Sequence, residues 1–272
     1  MLEGISIETD SKSLPAYVPG HQLLAGRSVL ITAAAGAGIG FAAAKKSIEE
    51  GAACVVISDI HEARLAQAVE TLTDIAETSV SVVGVVANVT DESAVQRLVD
   101  EAEQVSGGID VLINNAGLGG TCSLLDMTDD AWSQVIDVTL TGTMRMTRAM
   151  LGRMTKRERG VIVNNASVLG WRAQKEQSHY AAAKAGVMAL TRCAALEAAD
   201  FGVRINAVAP SIALHDFLRK TTPESLLTEL ASREAFGRGA EVWEVANVMM
   251  FLASDYSSYM TGEVISVSSQ HP

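Results

Sequence analysis

The sequence predicts a doubly wound α/β fold: a parallel seven-stranded sheet with helices on both faces, in a single domain. Short β-branched runs alternate with longer helical stretches along most of the chain, and such alternation gives crossovers and a parallel sheet. The runs are continuously apolar, as strands buried on both faces are. The chain has 272 residues, 48% of them hydrophobic, with no internal repeat and no low-complexity linker, which suits one doubly wound unit.

The elements follow in order. "RSVLITA" (27–33) is the first strand, followed by a glycine-rich turn and an alanine-rich helix to Glu50. "CVVISD" (54–59) is the second, with a helix from about His61 to Ile75 behind it. "SVVGVVANV" (81–89) is the third; its helix opens at "TDESAV", where Thr90 or Asp91 caps the first turn. "DVLINNAG" (110–117) is the fourth, leading into a helix from about Thr128 to Met154. "GVIVNNAS" (160–167) is the fifth, and the helix after it carries Tyr180. "VRINAVAP" (203–210) is the sixth; a helix containing "EVWEVANVMMFLAS" follows, and "GEVISVS" (262–268) closes the sheet. Residues 1–25 read as an N-terminal extension along the surface of a catalytic unit at 26–272.

Composition narrows the function. The net charge is −11 and no long basic patch is present, which speaks against nucleic acid. The densest basic run, "RMTKRERG" (153–160), reads as the solvated end of a helix near its negative dipole end. Cys54, Cys122 and Cys193 are far apart and form no CxxC pair, which fits a reducing, cytoplasmic setting. Cys54 and Cys193 are expected in the core. The five histidines lack metal-ligand spacing, so no metal is expected. The N-terminus lacks a signal-peptide pattern, and no apolar run reaches membrane-spanning length. The ten methionines scatter through helices as core filler.

Two stretches carry chemistry. In "TAAAGAGIG" (32–40), Gly36, Gly38 and Gly40 lie between a strand and a helix. Glycine there lets backbone approach a pyrophosphate at the positive end of the helix. Asp59 ends the second strand, 19 residues after Gly40. A carboxylate there suits ribose hydroxyls and repels a 2′-phosphate, and no Arg or Lys lies within 32–40 or just after Asp59. NAD is therefore expected over NADP, with Asp59 also placed to cap the helix at "HEARL". The second stretch is "SHYAAAKAG" (178–186). Tyr180 and Lys184 are four residues apart, so a helix puts them on one face with only alanines between. A cation beside a phenol favours the phenolate, one route to a general base near neutral pH.

These segments, with "NNAG" at 114–117, "NAS" at 165–167 and "YAAAK" at 180–184, occur in one order at strand ends. In that order the chain resembles the short-chain dehydrogenases/reductases from about Arg27 to Ser268. The resemblance implies a Rossmann-type fold and interconversion of a secondary alcohol and a ketone by hydride transfer. Ser167 matches the serine that hydrogen-bonds the substrate oxygen, and Tyr180 the residue that takes or gives the proton. Lys184 matches the lysine that lowers the tyrosine's pKa and binds the nicotinamide ribose. Cofactor contacts are implied for Thr32, Gly36, Gly38, Ile39, Gly40, Asp59, Ile60, Asn88, Val89, Asn114, Asn115, Ala116, Gly117, Tyr180, Lys184, Pro210 and Ile212. Family members are commonly homotetramers. A catalytically silent NAD-binding subunit or sensor, and a hydratase or dehydratase on the same fold, are the rival readings.

The chain departs from the family pattern in four places. The glycine turn is one residue longer than TGxxxGxG, with Ala33 and Ala34 where the first glycine stands. Thr139 replaces the tetrad asparagine; we expect it to act through its backbone carbonyl and a water rather than through an amide. Pro210-Ser211 replaces Pro-Gly, with His215 at a position often held by a cofactor-contacting threonine. The tail reads "VSSQHP". "TAAAGAGIG", "APSIALH", "EAFGR" and "QHP" together resemble a bacterial subgroup of sterol-ring breakdown, whose substrates are hydroxylated ring fragments held as coenzyme A thioesters.

Substrate loops in this fold class lie beyond the carboxyl ends of the strands. Trp171, Gln177 and His179, between Ser167 and Tyr180, are expected near the reacting atom. The segment 211–238 reads as a lid whose Leu214, Phe217 and Leu218 form an apolar face, with Arg219 and Lys220 adding charge. An apolar lid with a few cations suits a bulky acyl or ring substrate, such as a CoA thioester, better than a sugar.

Overall fold

The computed structural model describes residues 14–215, 218–219 and 224–270. Nine strands lie among them: β1 (Ser28–Thr32), β2 (Cys54–Asp59), β3 (Ser81–Val86), β4 (Val111–Asn114), β5 (Gly160–Asn165), β6 (Val203–Pro210), β7 (Ala213–Leu214), β8 (Ala240–Glu241) and β9 (Val264–Val267). Seven form one parallel sheet in the order β3-β2-β1-β4-β5-β6-β9, and β7 pairs with β8. The expected single doubly wound domain is present. The two-residue β7–β8 pair is too short to leave a periodic signal in the sequence.

The helices are α1 (Ile39–Glu49), α2 (Glu62–Ile75), α3 (Glu92–Ser106), α4 (Asp129–Ile136), α5 (Gly142–Arg157), α6 (Ser178–Ala199), α7 (Glu224–Ser232) and α8 (Val242–Ala253). Successive strand residues face opposite ways. Val29, Ile31, Val55 and Ile57 therefore pack with Ala43 of α1, Leu72 of α2 and Met249 of α8. Leu30, Val56, Leu112 and Ile162 pack on the other face with Val95 of α3, Met150 of α5 and Ala195 of α6. Most of this surface is aliphatic or alanine, and Met146, Met150, Met154, Met249 and Met250 fill the gaps.

Several local expectations are decided or revised. Asp91 is the cap of α3, accepting from the backbone N–H groups of Ser93 and Ala94. The helix expected over 128–154 is interrupted by a π-helical segment, Asp137–Thr141, and continues to Arg157. Cys193 is exposed rather than in the core, because α6 buries Thr191, Ala194, Ala195 and Ala198 and turns Cys193 outward. The basic run is not merely solvated: Arg153 pairs with Asp100 and Arg157 with Glu103, joining α5 to α3. Residues 14–25 lie against the C-terminal end of α1. There the Tyr17 hydroxyl donates to Glu49, and the Tyr17 ring meets Trp243 edge-on at 5.2 Å between centroids.

The sheet order reverses between β1 and β4, which opens a crevice at their carboxyl ends. Beneath it runs a chain of buried polar side chains. Asn114 Nδ2 donates to Thr147 Oγ1 and to Asn164 Oδ1, and Asn164 Nδ2 donates to Thr191 Oγ1. This chain ties β4 and β5 to α5 and α6 under the crevice. Asn164→Ala leaves Asn114 and Thr191 short of partners. It is expected to lower the unfolding free energy by about 1–3 kcal/mol in urea titrations.

Candidate active site

The glycine turn joins β1 to α1. Gly36 has φ +129, which favours glycine, and a methyl group built on Gly36 or Gly38 meets nothing within 4 Å. The backbone at the start of α1 thus faces open space, as a phosphate cradle requires. Gly40 has a different role: a methyl group there would stand 2.5 Å from the Ala33 carbonyl oxygen and from Asn115 Nδ2. Ala33, where the family has glycine, is held at φ +50, a left-handed conformation costly for a side-chain-bearing residue.

Thr32 ties the turn to β4, because its Oγ1 accepts from the N–H groups of Asn115 and Ala116. Asn115 Nδ2 donates to the carbonyls of Thr32 and Ala33, and its Oδ1 accepts from Asn165 Nδ2. The Asn115 side chain is thus spent on shaping the turn. Asn114, two percent exposed, points into the core instead of toward a cofactor.

Asp59 ends β2 with its carboxylate buried. It accepts from the N–H groups of Ala35 and His61, so it joins the glycine turn to the start of α2. Arg64, five residues on, reaches within 3.8 Å of the Asp59 carboxylate. No cation follows Asp59 immediately in sequence; the first turn of α2 folds this one back onto it. Burial nevertheless raises the Asp59 pKa, outweighing the hydrogen bonds and Arg64. Ile60 beside it is exposed. At the end of β3, Asn88 Oδ1 accepts from Thr90 N–H, and buried Val89 packs where a methyl group on Gly142 would stand.

α6 brings the catalytic candidates together. Tyr180 and Lys184 share a face, with Lys184 Nζ 5.5 Å from the centre of the phenol ring. The Lys184 amine, three percent exposed, donates to the Asn165 carbonyl at the end of β5. Ser167 follows that strand; its hydroxyl accepts from Leu169 N–H and lies near enough to the Tyr180 phenol to lower its pKa. A methyl group on Gly117 would lie 3.4 Å from Lys184 Nζ, so the loop after β4 closes over the amine. Burial pushes the Tyr180 phenol up to about 12, while the Ser167 hydrogen bond works the other way. Burial also brings the Lys184 amine down to about 8. Beside the expectation that Lys184 favours the phenolate stands an influence the sequence does not carry: desolvation of the phenolate is the largest cause of the upward shift.

Thr139 lies in the π segment. Its Oγ1 accepts from Leu118 N–H and donates to the Leu118 carbonyl, so it anchors the loop over Lys184 to the helix. Its carbonyl, expected to act through a water, accepts the Thr143 hydroxyl and keeps a second lone pair. Irregular π turns of this kind often mark functional sites; sequence periodicity gave no sign of it.

The substrate candidates separate. Trp171 is 46% exposed. Gln177 donates to the Gly120 carbonyl, and His179 is buried with its Nε2 beside Gly120, so both support the loop after β4. Phe217 and Lys220 lie outside the described residues. Pro210 ends β6, and the Ile212 carbonyl accepts from Ala240 N–H beside β8. Among the described residues no group of three His, Cys, Asp or Glu side chains is placed to hold a metal ion, and no helix is long and apolar enough to cross a membrane.

A glycine cradle, a carboxylate at the end of β2 and a Ser–Tyr–Lys group on one crevice define a nicotinamide-binding oxidoreductase. A family model described as "Enoyl-(Acyl carrier protein) reductase" matches residues 33–269. The chain is 59% identical over 259 residues to a Mycobacterium tuberculosis protein named (5R,7aS)-5-hydroxy-7a-methyl-1-oxo-2,3,5,6,7,7a-hexahydro-1H-indene-carboxyl-CoA reductase, covering 95% of this chain and 98% of that one. It is 38% identical over 247 residues to a cis-4-hydroxycyclohexanecarboxylate dehydrogenase of Sinomonas cyclohexanicum, covering 90% and 96%. The crystal structure of a short chain dehydrogenase from Mycobacterium smegmatis superposes with a TM-score of 0.86 at 54% identity, covering 97% of this chain and 100% of that one. The chain belongs to the short-chain dehydrogenase/reductase family and is an oxidoreductase acting on CH–OH groups with a nicotinamide cofactor.

The two catalytic pKa values give opposite stability slopes. An unfolded lysine titrates near about 10.4. Between about pH 8 and that value the unfolded chain holds more protons than the folded one, so the Lys184 contribution to stability rises with pH. Tyr180 acts in reverse above about pH 10, where the folded state keeps its proton longer. Lys184→Met should therefore remove a stability gain of about 2 kcal/mol between about pH 7.5 and about pH 9.5, measured by urea unfolding of both proteins.

Proposed function

We propose that the chain is an NAD-dependent enzyme that interconverts a secondary alcohol and a ketone on a ring or acyl compound carried as a CoA thioester. The observation that carries this reading is the meeting of Ser167, Tyr180 and Lys184 at the crevice beside the glycine turn. The Ser167 hydroxyl holds the substrate oxygen. Tyr180 gives its phenolic proton to that oxygen in reduction and takes it back in oxidation. Lys184, fixed by the Asn165 carbonyl, supplies positive charge beside the phenol. The nicotinamide, when bound, exchanges the hydride and in its oxidised form adds positive charge to the crevice. Gly36, Gly38 and the start of α1 would hold its pyrophosphate, Asp59 the adenosine ribose, and Tyr180 and Lys184 the nicotinamide ribose.

The preference for NAD is supported by the Asp59 carboxylate, which repels a 2′-phosphate and keeps Arg64 engaged. The CoA thioester is supported by the name of the Mycobacterium tuberculosis relative, and a ring alcohol also by that of the Sinomonas relative. A homotetramer is supported by the family resemblance, and three free cysteines support a reducing, cytoplasmic setting. We read residues 14–25 as the end of a surface extension and 211–238 as a substrate lid.

The test is a panel of cyclic and acyclic hydroxyacyl-CoA compounds and their free acids, each with NAD and with NADP, followed by nicotinamide absorbance. Turnover of a thioester at least about tenfold above its free acid is expected; equal rates would discard the CoA part of the reading. Tyr180→Phe should lose about 100- to 10,000-fold in kcat while still binding NAD by fluorescence titration. Asp59→Asn removes a charged acceptor from the ribose site. It is expected to cut kcat/KM with NAD by about tenfold or more and to cut that with NADP less.

A further inference from the structure

We propose that Gln270, in the C-terminal tail, is a positioning residue that fixes the loop between Ser167 and Tyr180 by clasping it to the turn after α7. Three segments far apart in sequence meet there. Arg172 Nη1 donates to Gln270 Oε1 at 2.7 Å, and its Nη2 to the Gln270 carbonyl at 3.1 Å. Gln270 Nε2 donates to Glu234 Oε1 at 2.7 Å. The other oxygen of buried Glu234 accepts from Ser269 N–H, Ser269 Oγ and Ser268 Oγ. One neutral amide thus stands between a guanidinium and a carboxylate. Its orientation is dictated by both, since a cation needs the amide oxygen and an anion needs the amide nitrogen.

The clasp bears on the active site through Arg172. That residue lies five positions after Ser167, and its N–H is bonded to the Val168 carbonyl in the short turn that Ser167 caps. Among the described residues Arg172 Nε is buried without a partner, and Gln270 is the acceptor for both terminal nitrogens of this guanidinium. Without Gln270 the part-buried cation loses the acceptors of both terminal nitrogens while its Nε stays unpartnered, and the loop shifts to hydrate it. The substrate-side residues after that turn, 171 to 177, would shift with it. Among the described residues no hydrogen bond joins the glycine turn or Asp59 to the clasp, so the effect is expected on substrate binding rather than cofactor binding.

This inference rests on the proposed function for which side of the crevice holds substrate, and its test separates the two. The variants are Gln270→Ala, Gln270→Glu, and Gln270→Glu combined with Glu234→Gln. In the full chain, each single change is expected to raise KM for the hydroxyacyl-CoA substrate about tenfold, the worth of one charge-assisted hydrogen bond, with KM for NAD and kcat nearly unchanged. The double change restores the clasp, because the carboxylate introduced at position 270 accepts both from Arg172 and from the amide introduced at position 234, and KM should return toward the original. Hydrogen exchange of residues 168–177 and 233–238 is read in parallel and needs no turnover. Faster exchange in the single variants and recovery in the double variant supports the clasp, even if no thioester is a substrate and the proposed function fails. Unchanged exchange overturns the clasp, as does an unchanged thioester KM in an active enzyme or a matching rise in KM for NAD.

Discussion

A lysine amine taken almost wholly out of water needs a hydrogen-bond acceptor, and for Lys184 that acceptor is the Asn165 carbonyl. The consequences run across the sheet. The same Asn165 donates from its side chain to Asn115 Oδ1, and Asn115 donates to the carbonyls of Thr32 and Ala33. The amine on α6 is thereby linked through β5 and the loop after β4 to the glycine turn between β1 and α1. The proposed proton chemistry and the proposed cofactor site share one hydrogen-bonded frame. Gly40 and Gly117 lie where it is tightest, against Asn115 and Lys184.

Within that frame, burial is the leading influence on both Tyr180 and Lys184. The Lys184 cation lies over the Tyr180 ring, yet the phenol is pushed up because its anion is poorly solvated there. The amine is pushed down for the same reason. A protonated phenol near a serine hydroxyl suits donation to a carbonyl oxygen.

The departures from the family pattern find physical places. Thr139 replaces an asparagine, but its single hydroxyl both accepts from and donates to the Leu118 peptide, so the loop over the amine keeps its anchor. Ala33 replaces a glycine and takes the left-handed conformation anyway, held by Asn115 at its carbonyl. Ser269 and Gln270 of the unusual tail are bonded within their own chain to Glu234, and Gln270 also to Arg172.

By itself the sequence determined the strand and helix order, the two-faced burial of the sheet and the pairing of Tyr180 with Lys184. These depend on local pattern: continuous apolar runs and a four-residue spacing on one helix. Tertiary structure decided what depends on contacts between distant segments. Arg64 folds back on Asp59, Asn114 turns into the core while Asn115 shapes the glycine turn, Gln177 and His179 brace a loop, and Cys193 faces outward. The same holds for the balance of charge against desolvation at Tyr180. Neighbours along the chain set which groups can share a face, but only the folded packing sets how much water each one loses.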